Sequence, residues 1–106
     1  MGIDEAVISE IVGRVLSAAH PRRIVLFGSA ATGQMTRDSD IDLLVIEDAP
    51  GDRLAERLRI RDALGSFEYP LDVKVMATER FEETKHVIGG IAYPANKYGK
   101  VIYEVG

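Results

Sequence analysis

Two short apolar runs, Ile24 to Phe27 and Ile41 to Ile46, are separated by residues 28 to 40, and that spacing constrains the fold more than any other feature. The connection is too long for a tight hairpin turn. It is also about as short as a parallel crossover allows. Both runs are rich in branched residues and bounded by breakers, so each reads as a buried strand. The first ends at Gly28-Ser29, and the second is led by Asp40-Ile41-Asp42.

The rest of the chain supplies cover for a sheet. Ile3, Val7, Ile11, Val15 and Ala18 recur at helical spacing over residues 3 to 19, and Pro21 marks the stop. The turn signal Ala49-Pro50-Gly51-Asp52 closes the second strand. Leu54, Leu58 and Leu64, with arginines between them, predict a helix over about 52 to 64. Leu71 to Met76 is a third strand, introduced by Pro70. Thr78 is the expected N-cap of a helix containing Phe81 and Val87, broken at Gly89-Gly90. Tyr93-Pro94 leads into a short turn or helix, and Val101 to Tyr103 is a last short strand. The expected fold is α/β (α+β): a small mixed sheet flanked by helices, with the strand directions open.

At 106 residues the chain is expected to form one domain, residues 1–106. The absence of cysteine excludes disulfides, thiolate catalysis and Cys-based zinc sites. No apolar run approaches the roughly 18 residues that span a bilayer, and no signal peptide opens the chain, so a cytoplasmic location is expected. Thirteen basic against seventeen acidic residues give a net charge of −4, which argues against general nucleic-acid binding. A nucleotide remains an admissible substrate, because cations can neutralise its phosphates.

Alternation along a strand puts Asp40 and Asp42 on one face, about 6.5 Å apart, with Ile41, Leu43 and Val45 on the other. Two adjacent carboxylates repel, and one pKa rises unless a cation lies between them. Hard oxygen ligands of this kind suit Mg²⁺. The alternative is a loop acid followed by a solvated strand-end acid. In "LDVKVM", Asp72, Lys74 and Met76 face away from Leu71, Val73 and Val75. If this strand neighbours the Asp40 strand, Asp72 completes a three-carboxylate cluster able to hold two metal ions. Otherwise it is a surface acid paired with Lys74 or an arginine. Gly28-Ser29 is either a simple turn or the start of a helical turn whose free amides bind phosphate.

Together, "FGS", the ten-residue spacer "AATGQMTRDS", "DID" with "LLV", and Asp72 in "LDVKV" resemble the nucleotidyltransferase superfamily with the DNA-polymerase-β-like fold, closest to its minimal members. The tail "IAYPANKYGKVIYE" also looks like the end of these proteins. The resemblance implies that Gly28, Ser29 and Ser39 bind the nucleotide. It implies that Asp40, Asp42 and Asp72 ligate Mg²⁺, two ions in all, and carry catalysis. The implied reaction transfers AMP from ATP to a hydroxyl, with Asp72 a candidate for activating it. Many small relatives act as antitoxins of HEPN-domain toxins, which implies adenylylation of a toxin tyrosine. The alternative is a non-catalytic antitoxin that neutralises its partner by contact. Where many relatives read Gly-Ser-x-Ala-Arg-Gly, this chain has Thr32 in place of the arginine, and Arg37 is the nearest candidate substitute. A homo-oligomer is left open.

His20 and His86 lack ligand partners at metal spacing and read as helix-end or surface residues. Arg53, Arg57, Arg59 and Arg61 spread around their helix and read as solvated charges. Tyr93, Tyr98 and Tyr103 are expected to pack as a C-terminal cluster.

Overall fold

The computed structural model describes residues 3–36, 38–67 and 69–105. Its first helix, α1 (Glu5–Leu16), opens where the Asp4 side chain accepts a hydrogen bond from the Ala6 amide at 2.8 Å. A cap of this kind stabilises a helix by about 1 kcal/mol. Ile8, Ile11 and Val15 form its buried stripe. There follow β1 (Arg23–Phe27), the single turn α2 (Ser29–Thr32), β2 (Ile41–Glu47) and α3 (Arg53–Leu64). The chain closes with β3 (Leu71–Ala77), α4 (Thr78–Thr84), α5 (Ala92–Tyr98) and β4 (Lys100–Glu104).

The four strands form one mixed sheet in the order β3-β2-β1-β4. β1 runs antiparallel to both β2 and β4, while β2 and β3 are parallel, with α3 as their crossover. The long β1–β2 connection is thus a wide antiparallel link that carries α2, not a crossover. The mixed sheet flanked by helices is the fold expected from the sequence.

Alternation along the strands divides the core in two. On one face Ile41, Leu43 and Val45 of β2, with Val73 and Val75 of β3, pack against Ile11 and Val15 of α1 and Ile60 and Leu64 of α3. On the other, Val25, Leu44, Ile46 and Met76 lie under Phe81 of α4 and Ala92 and Ala95 of α5. Asp42 shares the second face with Leu44 and Ile46, and Asp72 shares it with Lys74 and Met76. These acids stand at the strand starts, where they are half-buried.

Local details depart from the sequence reading. The buried face of α3 is Glu56, Ile60 and Leu64, and Leu54 and Leu58 are 61% and 50% exposed. A step of four keeps residues on one helix face, and Leu54 and Leu58 lie off that row. Asp52 caps α3, accepting from the amides of Leu54 and Ala55. Thr78 is the first helical residue, not the cap of α4; Ala77 holds the cap position, and the Thr78 hydroxyl donates to Asp48 at 2.8 Å. α4 ends at Thr84, so Val87 and the Gly89-Gly90 pair lie beyond it. Pro94 sits in the first turn of α5, where its missing N–H costs no helical hydrogen bond. Among the described residues, no helix is long and apolar enough to cross a membrane.

Candidate active site

The parallel register of β2 and β3 puts Asp42 directly opposite Asp72, and Leu44 opposite Lys74. Each acid is the second residue of a seven-residue strand. On its other side Asp42 is the register partner of Phe27, the last residue of β1, which brings Gly28 beside it. A Cβ built on Gly28 would collide with Asp42 Oδ2. Gly28 also holds φ 71° and ψ −152°, a region that essentially only glycine occupies. The backbone therefore requires glycine at position 28, and a side chain there would also have to displace the Asp42 carboxylate.

Gly28 opens α2, and its carbonyl accepts from the amides of Ala31 at 3.1 Å and Thr32 at 3.3 Å. The first two amides of that turn, Ser29 and Ala30, have no helical carbonyl to donate to. Thr32 is exposed, and its hydroxyl lies 3.4 Å from both the Gly28 and Ser29 carbonyls, so it braces the turn. Arg37, the candidate substitute for the missing arginine, lies outside the described residues. Ser39 is occupied with its own loop: its hydroxyl accepts from the Thr36 amide at 2.9 Å, and its amide donates to the Thr36 carbonyl at 3.1 Å.

Asp40 precedes β2 and is exposed, so the strand argument that paired it with Asp42 does not apply to it. It nevertheless contributes charge at the site. The Asp42 carboxyl is pushed above the usual range by burial first, then by the charges of Asp72 and Asp40, with Lys74 opposing. Lys74 Nζ stands 3.4 Å from both carboxylate oxygens of Asp72, and Arg57 Nη2 lies 4.0 Å from its Oδ1. Asp72 thus stands opposite Asp42 in the register and is at the same time paired with cations. Arg57, read from sequence as solvated, is half-buried with its Nε buried and unpartnered. No local sequence pattern signals this, because the reach of Arg57 to Asp72 depends on how α3 packs beside β3.

No three carboxylate or imidazole groups among the described residues are gathered into a ready-made metal cage. Asp42 and Asp72 are adjacent, and Asp40 adds to the charge that raises Asp42. Hard oxygen donors whose mutual repulsion lifts a carboxyl pKa fit a divalent cation, which relieves that repulsion.

A second carboxylate pair, not foreseen from sequence, lies at the far end of β2. Glu47 and Glu56 are both buried, at 7% and 6% exposure, and Glu47 Oε2 has no hydrogen-bond partner among the described residues. Burial, and then Glu56, push the Glu47 carboxyl up to about 7. Nearby, the hydrogen bonds from Arg22 and Thr78 hold Asp48 down to about 2. His20 and His86 are exposed, as expected. The tyrosines do not form one cluster: Tyr103 packs on the α1–α3 side of the core, whereas Tyr93 and Tyr98 flank Lys97 on α5.

Comparison with known proteins places the fold. The family model described as a nucleotidyltransferase domain matches residues 8–93. No curated protein matches the chain. Among solved structures, a toxin–antitoxin complex with AMP-PNP is similar at TM-score 0.65 and 20% identity, over 92% of this chain and 73% of that one. A nucleotidyltransferase from Sulfolobus solfataricus, itself assigned only provisionally, gives 0.63 and 19%, over 93% and 78%. A mutant of the MntA–HpeT toxin–antitoxin gives 0.61 and 17%, over 92% and 73%. At these identities the likeness shows a shared fold.

Proposed function

This chain belongs to the nucleotidyltransferase domain family, and from that premise we propose that it transfers AMP from ATP to a hydroxyl of a partner protein. The observation that carries the proposal is the position of Asp42, with Gly28-Ser29 on one side and Asp72 on the other. Phosphoryl-type transfer requires leaving and attacking oxygens roughly in line, with catalysis by positioning and charge neutralisation. In this reading the α2 turn, through Gly28 and Ser29, receives the leaving phosphates. Asp72 takes the proton of the attacking hydroxyl on the opposite side. The hydroxyl oxygen forms a bond to the α-phosphorus, the bond from that phosphorus to the bridging oxygen breaks, and pyrophosphate leaves. Asp40, Asp42 and Asp72 would hold Mg²⁺, two ions in the fullest form; bound there, it neutralises phosphate charge. Ser39 supports nucleotide binding indirectly, by shaping the loop that presents Asp40.

The acceptor in this proposal is a tyrosine of a HEPN-type toxin, and the chain is its antitoxin. Support comes from the two similar structures that are toxin–antitoxin complexes, one of them with AMP-PNP. A second reading, neutralisation by contact alone, draws on the two cations that hold Asp72 and on Thr32, which is turned back onto its own loop. The deciding experiment incubates the protein with labelled ATP, Mg²⁺ and the product of the neighbouring gene. A mass increment of one AMP on that product supports transfer. Neutralisation by Asp40→Asn/Asp42→Asn, with no AMP added by the wild type, leaves contact as the function.

A further inference from the structure

The sheet leaves β3 paired on one side only, and two adjoining depressions of about 530 and 340 Å³ lie along that free side. They share Arg53, Met76 and Ile91, so they form one groove. At one end it reaches Lys74 and Arg57, the two cations beside Asp72; at the other it reaches Arg80 and the α4–α5 connection. Its apolar lining is unusually open: Leu54, Val87 and Ile88 are 61%, 58% and 79% exposed. On a protein of net charge −4, four cations gather here, and neither Arg53 nor Arg80 has an ion-pair partner among the described residues.

We infer that this groove is the docking surface for the acceptor: a partner-protein segment carrying acidic side chains and large apolar ones. The inference rests on the nucleotidyl-transfer reading for its orientation. With the leaving phosphates on the Gly28-Ser29 side of Asp42, an in-line attack brings the acceptor hydroxyl from the Asp72 side. The β3 edge is that side. Arg53 and Arg80 meet the segment's carboxylates, and Leu54, Val87 and Ile88 meet its apolar residues. Such anchors beside complementary charge set both affinity and encounter rate. The competing occupant is the nucleotide itself, which also brings negative charge and an apolar ring.

The probes are a glutamate–tyrosine copolymer, a lysine–tyrosine copolymer of equal length, and a fluorescent ATP analogue. Binding of each is measured by fluorescence anisotropy with the full chain. The wild type is expected to bind the acidic copolymer at least tenfold more tightly than the basic one. Arg53→Glu/Arg80→Glu should remove that preference, and Ile88→Asp should weaken acidic-copolymer binding at least threefold. Lys97→Glu/Lys100→Glu makes the same change in net charge elsewhere and should preserve the preference. ATP-analogue binding should be unchanged in all three variants. Equal binding of both copolymers by the wild type overturns the inference. So does a loss of ATP-analogue affinity in Arg53→Glu/Arg80→Glu as large as the loss for the copolymer, which would give the groove to the nucleotide. If the preference and its loss in Arg53→Glu/Arg80→Glu hold while no acceptor receives AMP, docking of an acidic segment stands and the transfer reading falls.

Discussion

The carboxylate of Asp42 occupies the space that a side chain at Gly28 would need, so a turn after one strand and an acid on the next are fitted to each other. Gly28→Ala combines that collision with a backbone conformation worth on the order of 1–3 kcal/mol of strain for a non-glycine residue. The expected result is a lower thermal midpoint together with weaker ATP-analogue binding. An alanine variant that melts within a degree of the wild type would show that the turn relaxes freely.

Asp42 should illustrate a conflict between stability and function. Its carboxyl is raised in the folded protein, so its contribution to stability is full below the ordinary carboxylate range and declines as pH rises through the raised value. Without divalent cations at pH 7.5, Asp42→Asn should therefore be at least as stable as the wild type. Nucleotidyl transfer should fall by about a hundredfold or more, the scale expected when a preorganised electrostatic group is lost. Calorimetry and a transfer assay on the same samples provide the check, and a clearly less stable Asn variant would refute the strain.

Lys74 lowers the Asp42 pKa by its charge. Replacing it with methionine should move the acidic limb of the pH–rate profile to higher pH. An unmoved limb, with only the maximal rate reduced, would mean that Lys74 acts by contact with substrate instead.

The Glu47–Glu56 pair gives the fold its own pH dependence. The Glu47 carboxyl lies at about 7 against an ordinary 4.5, so stability should fall as pH rises between those values and level off above them. Urea midpoints from pH 4.5 to 8.5 should show this slope in the wild type and a flatter curve in Glu47→Gln. Parallel curves for the two proteins would assign the slope to other groups.

At Gly99 the limit is space, not backbone. A Cβ there would meet the Ala95 carbonyl and stand 2.7 Å from Val25 Cγ1, in the packing between α5 and β1. Gly99→Ala is expected to cost about 1–3 kcal/mol, as overpacking does. Chemical denaturation measures it, with transfer activity per folded molecule unchanged.

The strands and both faces of β2 and β3 were legible because period-two alternation is read directly from residues such as Leu43, Leu44, Val73 and Met76. The adjacency of Asp42 and Asp72 was conditional, since strand order and direction depend on packing that no local pattern records. The extent of α3 was legible from its leucines, but its buried face was not. Leu54 and Leu58 are exposed, while Glu56 holds a place in the buried row because Arg59 pairs with it, and a hydropathy pattern does not register partners. Thr78 was misplaced by one residue for a similar reason: its hydroxyl serves Asp48, a contact across 30 positions of sequence. The family resemblance located the residues of the candidate site. Only the coordinates revealed that Ser39 and Thr32 are committed to their own loops and that Arg57 reaches Asp72.

Because β2 and β3 run in the same direction and start level, the two acids keep their places relative to each other whatever the length of the chain between them. Residues could be added or removed around α3 without separating Asp42 from Asp72. A slip of β3 by a single residue, in contrast, would turn Asp72 into the apolar face and bring Val73 out beside Asp42. An error of that kind abolishes the core and the carboxylate pair in one stroke. Chains that pair out of register thus lose the core and the carboxylate pair together, so the fold cannot be kept without the site.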